Sequence, residues 1–225
     1  NDSTWNVVYV DSHDYAPDRN QASRFTGGTL TWAENMCLMF TFRGIPCLYY
    51  GSEVEFQKGE PIDVGPNAPL STTGRAYFGD YLEGNVTATD YGEYTADGTV
   101  ADTLNSTLSQ QLIKLNKIRK AVPALQKGQY SVNDVTGSIA FKRGYTDPNT
   151  GDKSFACVSV TDAATFKNIP NGTYIDAVTG DTKTVTDGTL SIAASGKGNC
   201  RVYVLSSNGY KGISGQIGGT TTYLK

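Results

Sequence analysis

A chain of 225 residues with 19 basic and 22 acidic side chains carries a formal charge of −3, which argues against a general nucleic-acid or anionic-membrane surface. No apolar run approaches the ~20 residues needed to cross a bilayer, so the chain is read as soluble. Four cysteines are too few for a disulfide scaffold and show no metal-ligand spacing.

In chain order, the first informative stretch is Val7-Val8-Tyr9-Val10-Asp11-Ser12-His13-Asp14. Four apolar or aromatic residues, three of them β-branched, predict a strand buried on both faces, as in a parallel sheet. Polarity then flips at once, and two carboxylates and the only histidine stand at the strand's C-terminal end. In a parallel barrel that end is where active sites are assembled. A polar loop leads to Gly28. Thr29 or Thr31 is then expected to cap a helix in which Leu30, Ala33, Met36, Cys37, Phe40 and Thr41 recur at helical spacing until Gly44 ends it. The next apolar run, Arg43-Gly44-Ile45-Pro46-Cys47-Leu48-Tyr49-Tyr50-Gly51-Ser52-Glu53, completes a strand–helix–strand unit with a right-handed crossover.

These two runs resemble, in order and spacing, the seventh- and eighth-strand motifs of the α-amylase family of glycoside hydrolases. Those motifs are written Phe-Val-x-Asn-His-Asp and Gly-x-Pro-x-x-Tyr-Tyr-Gly-x-Glu. Ser12 departs from the family's Asn, and because serine also hydrogen-bonds nearby backbone, the turn is expected to survive. An eight-stranded α/β barrel needs ~250 residues by itself. The chain is therefore expected to hold only the C-terminal quarter of the barrel, in residues 1–125, its opening reading as a cut through the barrel.

Residues 52 to 105 are read as a long loop broken by Gly59, Pro61, Gly65, Pro66, Pro69 and Gly74, lying over the barrel mouth. A helix follows from Ser109 to Ala121, with Leu112, Leu115, Ile118 and Arg119 in one stripe, and Pro123 closes it. Beyond Gly128 short alternating runs at 138–143, 154–160, 173–178, 189–193 and 201–205 are separated by turns, which predicts an antiparallel β-sandwich over residues 126–207. Residues 208–225, rich in Gly, Ser and Thr, read as a linker or a frayed end with one short strand at 220–224. The fold class is thus α/β plus all-β. Parity places Ala156, Val158 and Val160 on one strand face and Cys157 on the other, while Cys200 shares parity with Val202 and Val204. A Cys157–Cys200 bridge is accordingly not expected.

The resemblance implies a retaining mechanism on α-glucans, whose nucleophile and acid/base carboxylates, ~5–5.5 Å apart, belong to strands absent from this chain. It makes Asp14 the third acid, hydrogen-bonding hydroxyls of the reacting glucose, and His13 a donor to the same sugar. Tyr15 is placed for sugar contact by its position beside Asp14, and Arg75 would bind glucose from the eighth-strand loop. Asp11 and Glu53 are read as network residues. No cofactor is assigned to this chain, and calcium, if used, belongs to the absent part. The partners implied are an α-glucan or oligosaccharide and the rest of the barrel. A secreted enzyme section, hydrolase or glucanotransferase, competes with a non-catalytic carbohydrate-binding or amylase-like interaction protein.

Overall fold

The structure, a computed structural model, describes residues 5–14, 23–62, 69–90 and 93–225. Strand β1 (Val7–Val8) pairs in parallel with β2 (Ile45–Pro46), Val7 opposite Ile45, and helix α1 (Thr29–Thr41) makes the crossover. Neither Thr29 nor Thr31 caps α1. The cap position is Gly28 at φ 92°, and the Thr29 hydroxyl donates instead to Glu55 Oε2 at 2.7 Å. At the other end Gly44 has φ 96°, and a Cβ there would lie 2.5 Å from the Asn6 carbonyl oxygen, so the close return of the chain requires glycine.

The strand expected to be buried on both faces is covered on one. Val8, Val10 and Leu48 pack against the helix-side core, whereas Val7 is 57% exposed and Ile45, Tyr9 and Cys47 are exposed beside it. A two-stranded parallel sheet with helices on one side leaves its second face without a layer among the described residues.

The excursion after β2 contains regular structure that its composition hides. Single turns of 3₁₀ helix at Ser52–Val54, Leu70–Thr72 and Gly79–Tyr81 precede a hairpin of β3 (Val86–Asp90) and β4 (Glu93–Ala96) and a helix α2 (Gly98–Asn105). β3 buries no described side chain, so no apolar alternation marks it. α3 (Thr107–Ala121) starts two residues before the expected point, capped by Ser106, whose Oγ accepts from the Ser109 amide at 3.4 Å. Pro123 opens a further helix, α4 (Pro123–Lys127), at its first position, where the missing N–H costs nothing.

Nine strands follow: β5 (Gln129–Ser131), β6 (Val135–Thr136), β7 (Ile139–Thr146), β8 (Lys153–Val160), β9 (Ala164–Phe166), β10 (Gly172–Asp176), β11 (Thr182–Val185), β12 (Leu190–Ile192) and β13 (Cys200–Leu205). They form an antiparallel six-stranded sheet, β11-β10-β13-β8-β7-β5, and a three-stranded one, β12-β9-β6. Alternation sends Ala156, Val158, Val160, Cys200, Val202 and Val204 into a core shared with α1, α3 and α4. Cys157, Tyr203 and Leu205 point the other way, to Phe166, Leu190 and Ile192 of the small sheet. All four cysteines are free, and Cys157 and Cys200 lie in different cores, as parity requires.

The stretch 208–225 is docked rather than a linker, and no strand forms at 220–224. Ile213, Ile217 and fully buried Leu224 pack on the helix-side core. The Lys114 ammonium donates to the carbonyls of Val178 at 2.9 Å and Leu224 at 3.1 Å, and Asn199 Nδ2 donates to the Lys225 carbonyl at 3.0 Å. Among the described residues no helix is long and apolar enough to cross a membrane.

Candidate functional site

The turn after β1 is held as the serine substitution allows. The Asp14 amide donates to Ser12 Oγ at 3.0 Å, a local bond that folds the chain back on itself within two residues. It presents the His13 and Asp14 side chains to solvent, 67% and 66% exposed, with Nε2 and Oδ1 3.3 Å apart. The loop after β2 then comes to the same turn. Arg75 donates through Nε and Nη2 to the His13 carbonyl oxygen at 3.3 and 3.1 Å, and its own amide donates to Thr73 Oγ1 at 3.1 Å. The structure therefore brings His13 and Asp14, at the end of β1, together with Arg75 from the loop after β2. Tyr15 lies outside the described residues.

Beneath the turn is a buried polar network. Asp11, 4% exposed, accepts from Ser52 Oγ at 2.8 Å; that oxygen in turn accepts from Arg24 Nη1 at 3.4 Å. Arg24 also donates from Nε to the Gly74 carbonyl at 2.9 Å, and its guanidinium lies 3.9 Å from the Tyr49 ring and 4.9 Å from the Tyr50 ring. Trp32 Nε1 donates to the Ser52 carbonyl at 2.8 Å. Asp11 thus ties the end of β1 to the loop after β2, the anchoring role expected of it. Burial pushes its carboxyl up, opposed by the Ser52 hydrogen bond and the Arg24 charge. Burial likewise lowers Arg24 and raises Glu53, and it takes the Tyr49 phenol up to about 12, helped by a hydrogen bond with Tyr50. Glu53 Oε2 is buried without a hydrogen-bond partner among the described residues, and the Glu53 carbonyl accepts from the Ser106 and Ser109 hydroxyls.

Arg24 is the residue sequence reasoning missed. An arginine in a polar loop reads as solvated, and the only clue was that a carboxylate as deep as Asp11 needs a cationic or donor partner. Its neighbour Phe25 stacks on Trp32 at 4.7 Å, so two adjacent residues of this loop are both buried.

Chemically, the turn offers one accessible carboxylate and one imidazole. Asp11 is buried and committed, so it cannot act as a second carboxylate at the surface. Among the described residues no three metal-type side chains lie together.

No protein-family model matches the chain, and no curated protein matches it. Solved structures do. The architecture, mixed helix and sheet with antiparallel sheets, matches the C-terminal part of amylase-type structures. The α-amylase of Geobacillus thermoleovorans, solved with acarbose, is similar over 91% of this chain and 40% of its own, at a TM-score of 0.53 and 18% identity. An α-amylase from Malbranchea cinnamomea is similar over 90% of this chain and 37% of its own, with a TM-score of 0.53 and 13% identity. The γ-cyclodextrin glucanotransferase of alkalophilic Bacillus clarkii is similar over 90% and 26%, with a TM-score of 0.50 and 20% identity. At these identities the likeness is one of fold, and the chain spans well under half the length of these relatives.

Proposed function

We propose that this chain is the C-terminal section of an α-glucan-active glycoside hydrolase, residues 1–125 forming the last quarter of its barrel and 126–207 its β-sandwich domain. The observation that carries the reading is the turn after β1, where exposed His13 and Asp14 are joined by Arg75 from the loop after the neighbouring parallel strand. In this reading Asp14 accepts hydrogen bonds from two hydroxyls of the reacting glucose. Those hydroxyls become better donors as positive charge develops on the ring, so the carboxylate favours the oxocarbenium-like transition state over the ground state. His13 contributes a hydrogen bond to the same sugar, Tyr15 contacts it from beside Asp14, and Arg75 holds the turn while presenting its remaining N–H groups to substrate.

The nucleophile and the acid/base come from strands outside this chain, and the reaction is retaining. In this reading the remaining strands pair at the outer edges of β1 and β2 to close the barrel, and the face carrying exposed Val7 and Ile45 lines its interior. No residue of this chain is assigned to calcium. The abundance of Gly, Ser, Thr and Tyr and the low charge support an extracellular site of action.

Asp14→Asn, in the protein that restores the upstream strands, is expected to lower the chemical rate by ~10²–10³ while substrate binding changes far less. Near-wild-type turnover in Asp14→Asn, with Asp11→Asn inactive but folded, would mean that the wrong carboxylate has been chosen. A second reading, a non-catalytic glucan-binding protein, draws on the single accessible carboxylate at the turn. An Asp and a Glu at the fourth and fifth strands of the parent decide for the enzyme, and their absence decides for the binder. Hydrolysis and glucan transfer use the same residues here.

A further inference from the structure

Arg75 is followed by an alternation that no catalytic assignment uses. Ala76 and Phe78 are buried, whereas Tyr77 is 79% exposed, the most exposed of the large hydrophobic side chains described. Phe78 is fixed from below, stacked on Tyr81 at 5.0 Å and edge-on to Phe56 at 5.1 Å, and the Tyr50 hydroxyl donates to the Ala76 carbonyl at 3.2 Å. Tyr77 is therefore an open ring on a rigid mount.

The ring also has a backing. A Cβ on Gly79 would collide with the Tyr77 hydroxyl and the ring carbon that carries it, so the phenol rests directly on the Gly79 backbone. Solvent meets the rest of the side chain. An exposed tyrosine whose mount, Ala76 and Phe78, is buried and whose hydroxyl end lies over the Gly79 backbone offers its ring to a flat, partly apolar ligand. Arg75 and Tyr77 are two residues apart, at most ~7 Å along the backbone, and Arg75 is anchored on His13.

We propose that Tyr77 is a stacking platform for a glucose unit of an α-glucan chain, beyond the unit engaged by His13 and Asp14. The inference rests on the reading of that turn as the glucose site. The apolar face of a pyranose covers the free face of the ring, and the Arg75 N–H groups not used on His13 remain for hydroxyls between the two units. The platform binds ground state and transition state alike, since no charge develops so far from the reacting carbon, and its effect falls on KM rather than kcat.

The test uses the parent protein with its upstream barrel strands. Tyr77→Ala is expected to raise KM for maltoheptaose about threefold to tenfold with kcat within about twofold, to leave KM for a short maltooligosaccharide unchanged, and to keep the thermal midpoint. Tyr77→Trp should keep the low KM, since the platform needs an aromatic ring and not the phenol hydroxyl. Equal KM values in wild type and Tyr77→Ala, or the same loss on short and long substrates, overturn the platform. Asp14→Asn run beside them separates the failures. If it abolishes turnover while Tyr77→Ala does nothing, the platform alone is wrong; if Asp14→Asn is also silent, the glucose site itself is misplaced.

Discussion

Asp11 and Asp14 are three residues apart and meet opposite fates, because Asp11 lies under the loop after β2 and Asp14 over the edge of the turn. The consequence for Asp11 is a pH dependence of known sign. Its carboxyl is raised from 3.8, mainly by burial, so the folded chain holds the proton to higher pH than the unfolded chain does. The stabilisation this gives is fully present below the unfolded value and is lost as pH rises through the folded one. Asp11→Asn keeps an acceptor for Ser52 without the buried charge. The stability of wild type relative to Asp11→Asn, followed by denaturant melts, is therefore expected to fall as pH rises above 3.8 and then level off. A flat difference across that window would show that Arg24 fully neutralises the carboxylate. Asp11→Ala, which strips Ser52 Oγ of its acceptor, should cost ~1–3 kcal/mol. That Asp14 stands exposed at a turn was legible, because the apolar run ends at Val10 and a polar run follows without a spacer; the role given to it came from the resemblance and not from its surroundings. The buried one was legible as an anchor, but Arg24 was not, since nothing local separates a solvated loop arginine from one whose partners, Gly74, Ser52 and Tyr49, lie 25 or more residues away.

The elements most clearly legible were those with a face to hide. α1, α3, β7, β8 and β13 carry apolar periodicity because each meets the shared core, and their ends fell within a few residues of expectation. β3, β4 and α2 bury little and gave no period to read. The end of α1 shows what sequence spacing could not reveal. Arg119 donates to the Phe40, Phe42 and Gly44 carbonyls, and fully buried Arg143 donates to the Thr41 carbonyl at 2.7 Å and the Gly128 carbonyl at 2.9 Å. Burial, with Arg119 and Arg43 nearby, takes Arg143 down to about 10, which leaves it charged at neutral pH against the negative end of the helix. Arg143→Met is expected to leave two carbonyls unpaired and to destabilise by ~2–4 kcal/mol, read as earlier hydrogen exchange at the last turn of α1. Lys114, lowered by burial, does the same for the docked tail. Lys114→Met should expose residues 208–225 to limited proteolysis while the β-sheets stay protected; an unchanged digestion pattern would mean that Leu224 packing alone holds the tail.

At the scale of the whole molecule the helix-side core decides what can stand alone. Residues 126–207 read from sequence as an antiparallel β-sandwich, yet Val158, Val160, Val202 and Val204 share a core with α1, α3 and α4. Separating the chain at 125/126 uncovers that face, so the isolated 126–207 piece is expected to bind a hydrophobic dye and to melt at lower temperature than the full chain. The opposite surface makes the complementary demand. Val7, Tyr9 and Ile45 stand exposed at β1 and β2, on a two-stranded parallel sheet whose outer edges are unpaired among the described residues. In the proposed reading those side chains point into the barrel interior, where layers of side chains from the other strands would fill the space. The 225-residue chain by itself is then expected to aggregate or bind dye through this face and to release no sugar from maltooligosaccharides, since two carboxylates are needed for hydrolysis. Supplying the upstream strands, in the same polypeptide or as a co-expressed chain, should abolish dye binding and restore turnover together. Val7→Asp should block that rescue while leaving α3 and the sheets folded by circular dichroism. A Val7→Asp chain that still regains activity would show that β1 is not a barrel strand with its neighbours outside this sequence, and the glucose site at its end would have to be given up with it.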